Sequence, residues 1–129
     1  MQLEQLGNDA LAMMDFPVTF QGTSPLESYL MANNETSKNL FNTSFPQNLT
    51  TTYGKNDNLK YSSKVYFSNS TTGVHNYTFT DYNSSTSTGR EHTVRATRFV
   101  HLKSSVYNHT VEMENRDQAV LFEVLLWRD

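Results

Sequence analysis

Gln118-Ala-Val-Leu-Phe-Glu-Val-Leu-Leu-Trp127 reads with a period of two and is apolar on both sides of the pleat. Val120, Phe122, Val124 and Leu126 fall on one face, and Leu121, Leu125 and Trp127 on the other. A strand that is apolar on both faces is expected in the middle of a sheet, or against a second layer. The preceding segments supply its neighbours. Tyr61, Val65 and Phe67 alternate with Lys60, Lys64 and Ser68, and Tyr77 and Phe79 alternate with Asn76, Thr78 and Thr80. The turn cluster Ser68-Asn-Ser-Thr-Thr-Gly73 lies between these runs and predicts a hairpin. Two further runs pair well if Ser104-Ser105 is a hairpin loop. Leu102 then faces Tyr107, Val100 faces His109, Arg98 faces Val111 and Ala96 faces Met113, a mostly apolar face. His101, Phe99, Thr97 and Arg95 fall on the opposite, mostly polar face, where Arg95 meets Glu114. The expected total is about five antiparallel strands over residues 59–129.

Upstream the period lengthens to that of a helix. Leu3, Leu6, Ala10 and Met13 form one stripe, widened by Leu11 and Met14, and Pro17 ends it. No N-cap precedes Leu3, so the expectation is a helix continuing upstream, with Met1 an expression start. Ser24-Pro-Leu-Glu27 is a capping box with Pro at the first helical position, followed by the apolar face Leu26, Tyr29 and Leu30. Asn33-Asn34 stops that second helix. From 34 to 58 the chain is rich in Asn, Thr and Ser, and reads as a short helical turn and then a surface loop. Leu40, Phe41, Phe45 and Leu49 pin it. Helices first and strands after predict one α+β domain over 1–129: residues 1–33 helical, 34–58 a polar connection, 59–129 an antiparallel sheet with the helices on one face.

The chain of 129 residues suits one core. Charged residues are only 18%, so Ser, Thr and Asn supply the polarity. That balance suits a surface facing the outside of a cell. A net charge of −3 and ten scattered Lys and Arg offer no basic stripe for nucleic acid and no polybasic membrane patch. With no cysteine, a disulfide scaffold, a thiol nucleophile and a Cys-based zinc site are excluded. No apolar window of membrane-spanning length occurs, so any membrane attachment is expected through a segment preceding this one.

Asn-X-Ser/Thr sequons occur at Asn34, Asn42, Asn48, Asn69, Asn76, Asn83 and Asn108, none with Pro in the middle. With 13 Asn and 29 Ser and Thr among 129 residues, random placement gives about three such triplets. The excess makes these seven the candidate glycosylation sites. All seven are expected on the surface: three in the polar connection, Asn69 and Asn83 in turns, Asn76 and Asn108 on polar strand faces. An Asn- and Thr-rich surface also makes sequons by accident, and that reading predicts exposed positions too.

Other chemistry is sparse. His75, His92, His101 and His109 lack metal-ligand spacing. Glu112 and Glu114 share a strand face, but Arg95 and Thr97 opposite them read as a charge ladder. Glu123 stands alone among apolar neighbours and is expected to meet an Arg or a subunit contact. No Gly-X-Ser-X-Gly elbow or glycine-rich phosphate loop occurs. Tyr53, Tyr61, Tyr66, Tyr77 and Tyr82 suit cross-strand pairs better than a sugar platform. The reading assigns no catalytic residue and no cofactor. The second apolar face of the last strand makes Leu121, Leu125 and Trp127 candidates for interaction.

The opening Leu3-Glu-Gln-Leu-Gly-Asn-Asp-Ala-Leu-Ala-Met-Met-Asp15 resembles the region after the membrane helix in archaeal type IV pilin-like proteins. Ser24-Pro-Leu-Glu-Ser-Tyr-Leu30, Val94-Arg-Ala-Thr-Arg-Phe-Val100 and Val124-Leu-Leu-Trp-Arg128 fit the same pattern. The resemblance implies a hydrophobic N-terminal helix that anchors or polymerises, followed by an exposed sheet domain without catalytic residues. The expected function is structural or interactive: an extracellular, membrane-anchored glycoprotein of the cell surface, meeting other surface or pilus proteins or itself. The alternative is an extracytoplasmic binding module for glycan or an envelope protein. A cleavable leader upstream favours the alternative, and about 20 apolar residues after a short basic leader favour the first.

Overall fold

A computed structural model describes residues 3–17, 22–53, 59–82, 93–103, 113 and 116–128. Three helices, α1 (Leu3–Met14), α2 (Pro25–Ala32) and α3 (Glu35–Tyr53), pack against an antiparallel sheet of β1 (Leu59–Asn69), β2 (Gly73–Tyr82), β3 (Val94–Leu102) and β4 (Gln118–Arg128). The strand order is β2-β1-β4-β3, which places β4 inside the sheet as its doubly apolar pattern requires. The fold is α+β. The sheet has four strands among the described residues rather than about five. The expected partner of β3 beyond Ser104-Ser105 lies outside the described residues, apart from Met113, which is buried.

Alternation along β1, β3 and β4 places Tyr61, Val65, Ala96, Val100, Phe122, Val124 and Leu126 on the helix-facing side, each essentially inaccessible. The β1–β4 register sets Val65 opposite Phe122 and Tyr61 opposite Leu126, so core residues pair with core residues. The expected β1–β2 hairpin is present. Its turn closes on Gly73, whose φ of +93° is a left-handed conformation that an L side chain resists. A bulge inserts Phe79 opposite Ser63 and Lys64, turning that ring into the core beside Phe41 and Phe122.

The region expected to be mostly loop is the largest correction. Residues 35–53 form a 19-residue helix, despite an interior Pro46. Ser37, Phe41, Phe45 and Leu49 recur every four residues and are all buried. Phe41 stacks on Phe45 at 5.3 Å and meets Tyr61, Phe79 and Phe122 edge-on. Such pairs add to simple burial and hold a helix whose composition is poor in helix formers. Asn34 and Ser37 start it with a reciprocal cap: the Ser37 amide donates to Asn34 Oδ1 at 2.8 Å and the Asn34 amide to Ser37 Oγ at 3.0 Å.

Helix α1 lies across β3 and β4. Its buried stripe is Leu6, Gly7, Ala10, Leu11 and Met14, while Met13, expected within it, is 55% exposed. The helix backbone comes so close to the sheet at Gly7 that a Cβ there would sit 2.9 Å from Ala96 Cβ. At the end of α1, Asp15 accepts from Ser24 Oγ at 2.8 Å and from Arg98 Nε at 2.7 Å. One carboxylate therefore ties α1, the capping box of α2 and β3 together. That box forms as the sequence predicts, and Asn33 ends α2 in the left-handed region.

Candidate functional site

Three surface features are candidates: the sequons, a groove beside α3 and the outer face of the sheet.

None of the five described sequon asparagines is buried, and their side chains do different work. Asn34 is exposed; its oxygen caps α3 and its nitrogen holds no hydrogen bond among the described residues. Asn76 is exposed on β2, opposite Tyr66 of β1. Asn69 is half-buried and organises the hairpin turn, its oxygen accepting from the amides of Thr71 and Thr72. Asn42 and Asn48 lie on α3 rather than in a loop. Asn42 accepts from Tyr61 Oη at 2.6 Å and donates from Nδ2 to the Asp81 carbonyl at 3.3 Å. Asn48 donates from Nδ2 to the Ser44 carbonyl at 2.9 Å. Asn83 and Asn108 lie outside the described residues.

The groove runs between α3 and β2 and is open, with a volume of about 430 Å³. Glu35, Lys38, Asn39, Asn42, Thr78 and Asp81 provide its polar groups, above the buried ring of Phe79. Lys38 Nζ stands 6.0 Å from that ring's centroid. Only Asn42 of these residues had a site reading from sequence. The others converge through packing of α3 on β2, a contact with no local sequence signal.

The outer face carries alternate residues of all four strands. Glu123 lies at its centre and is 7% exposed. It meets an Arg as expected: Arg95 Nη1 donates to Oε2 at 3.3 Å, and Tyr66 Oη donates to Oε1 at 3.2 Å. Burial, and then the charge of Glu123, push the Tyr66 phenol above its ordinary value, because both disfavour a second negative charge there. Glu114, the partner that the sequence register gives Arg95, lies outside the described residues, as does Glu112. Leu121 and Leu125 are half-buried on this face and Phe99 is 73% exposed beside them. Trp127, the third interaction candidate, is 1% exposed, so its ring is not a free contact surface. Its indole nitrogen is buried without a hydrogen-bond partner among the described residues.

The aromatic and histidine readings resolve in the same geometry. Tyr61 is in the core and Tyr66 on the outer face, so they cannot form one platform. The side chains of Tyr53 and Tyr82 lie outside what is described. His75 stacks on Phe67 at 5.7 Å and bonds Thr72, and His101 is exposed on β3. His92 and His109 lie outside the described residues. No metal-holding group of His, Cys, Asp and Glu occurs among the described residues, and no described helix is long and apolar enough to cross a membrane.

Comparison with protein-family models, curated protein sequences and solved structures finds no match to this chain.

Proposed function

We propose that this chain is a non-enzymatic domain displayed outside a cell, pilin-like in arrangement, with a structural or interaction role. The observation that carries this reading is the sequon set: seven in 129 residues, with none of the described ones buried and Asn34 and Asn76 exposed. The polarity of the surface comes from neutral hydroxyl and amide groups, which suits the same setting. The arrangement of α1 along β3 and β4 supports the pilin-like part, since such a helix serves as the stem against which the sheet packs. The two carboxylates with the best-described surroundings, Asp15 and Glu123, are already bonded to Arg98 and Ser24 and to Arg95 and Tyr66, which is structural employment. Surface or pilus proteins, or a second copy, are the partners that fit, with Leu121, Leu125 and Phe99 offering apolar contact.

Antibody labelling of intact cells tests the location. Labelling without permeabilisation is the expected result, and labelling only after lysis overturns the proposal. The groove beside α3 favours a second reading, a module that binds glycan. Oligosaccharides titrated into the labelled protein would then perturb the resonances of Lys38, Asn39, Asn42 and Asp81 before any others.

A further inference from the structure

We infer that four of the five described sequons divide by geometry into acceptors and structural amides: Asn34 and Asn76 carry glycan, and Asn42 and Asn48 stay bare in the folded protein. This rests on the reading of an exported chain and goes beyond it by naming the modified atoms.

The transfer places a requirement on the carboxamide nitrogen. That nitrogen attacks the anomeric carbon of a sugar held as a lipid-linked phosphate or pyrophosphate ester. The carbon–oxygen bond to the phosphate breaks, the bonding pair leaves with the phosphate oxygen, and the nitrogen gives up one proton. An N-glycosidic bond replaces one N–H, and the amide oxygen keeps its acceptor capacity.

Asn34 and Asn76 meet this requirement without loss. The Asn34 oxygen caps α3 by accepting from the Ser37 amide at 2.8 Å, a bond that survives substitution at nitrogen. Its nitrogen bonds to nothing among the described residues, and the residue is exposed. Asn76 is exposed opposite Tyr66 of β1, and its side chain makes no hydrogen bond among the described residues. The hydroxyl residues that complete these triplets, Thr36 and Thr78, are exposed as well.

Asn42 and Asn48 do not meet it. The Asn42 nitrogen donates to the Asp81 carbonyl and its oxygen accepts from buried Tyr61, so this amide joins α3 to both strands of the hairpin. A sugar ring there takes the place of the α3–β2 contact. The Asn48 nitrogen donates to the Ser44 carbonyl one turn back, and the residue is half-buried. A sugar on either nitrogen leaves one N–H to donate, but its ring must share the space in which Nδ2 meets the Asp81 or Ser44 carbonyl, so the folded population is the one bare at both.

The test is peptide mass spectrometry on folded protein recovered from the organism's own cells, with protease added to intact cells as a parallel measure of exposure. We expect sugar mass on the peptides holding Asn34 and Asn76, and unmodified mass at Asn42 and Asn48. Thr36→Ala should remove the mass at Asn34 alone, and Thr78→Ala the mass at Asn76 alone. Glycan on Asn42 or Asn48 in the folded fraction overturns the division. Bare Asn34 and Asn76 in a chain that external protease cleaves overturn the assignment while leaving the surface reading intact. A chain shielded inside the cell overturns the surface reading, and this inference with it.

Discussion

Phe122 shows how one residue gathers the helix-facing core. It sits on the central strand, fully buried, with Phe41 at 5.4 Å and Phe79 at 6.0 Å between ring centroids. Phe122→Ala removes contacts to α3, β1 and β2 together, and rigid neighbours cannot all collapse into the space. The expected loss is about 3–5 kcal/mol, measured by denaturant unfolding, against a total of about 5–15 kcal/mol for a typical domain. On the other face, Tyr66 offers a pH signature. Its phenol titrates above the ordinary value near 10 because burial and Glu123 favour the neutral form. The folded state therefore holds this proton more tightly than the unfolded chain does. The resulting stability is complete below the unfolded value and is lost as pH rises through the folded one. As pH rises past the ordinary phenol value near 10, Tyr66→Phe should lose stability less steeply than the wild type. Parallel curves would show that neither burial nor Glu123 holds the Tyr66 phenol neutral.

At the scale of elements, α3 separates what local reading captures from what it does not. The capping box of α2 was legible because Ser24, Pro25 and Glu27 are strong, adjacent signals. The hairpin and the central position of β4 were legible through their period of two. In α3 the Asn, Thr and Ser content and Pro46 argued for a loop, while the spacing of Phe41, Phe45 and Leu49 argued for a helix. Burial outweighs propensity: ordinary residues differ by only tenths of a kcal/mol and Pro46 costs about 3 kcal/mol, while buried Phe41, Phe45 and Leu49 contribute about 1.5–3 kcal/mol each. The reciprocal bonds of Asn34 and Ser37 are a further local signal for the start of α3. Asn34→Ala removes it and should lower stability by about 0.5–2 kcal/mol in unglycosylated protein. A thermal midpoint unchanged by that substitution would mean that packing alone places the start of α3.

For the molecule as a whole, the test is whether α1 belongs to the core or only rests on it. Leu6, Leu11 and Met14 are buried where α1 meets the sheet and the other helices, and each such side chain is worth about 1.5–3 kcal/mol. Asp15 adds the bonds that hold α2 and β3. Removing residues 1–17 should therefore abolish cooperative unfolding, followed by circular dichroism. A shortened chain that still melts sharply as a monomer would show that α1 is an accessory stem. Sequence alone determined the class of fold, the hairpin, the α2 cap and the strand faces. These follow from periodicity and turn chemistry, which act over a few residues. Only the tertiary structure decided that Met13 points outward, that Trp127 is buried, that Glu123 holds Tyr66 and Arg95, and that the Asn42 amide bonds Tyr61 and Asp81 while the Asn34 oxygen caps α3. Each of these depends on which distant segment lies opposite, and that choice is made by packing across the whole chain.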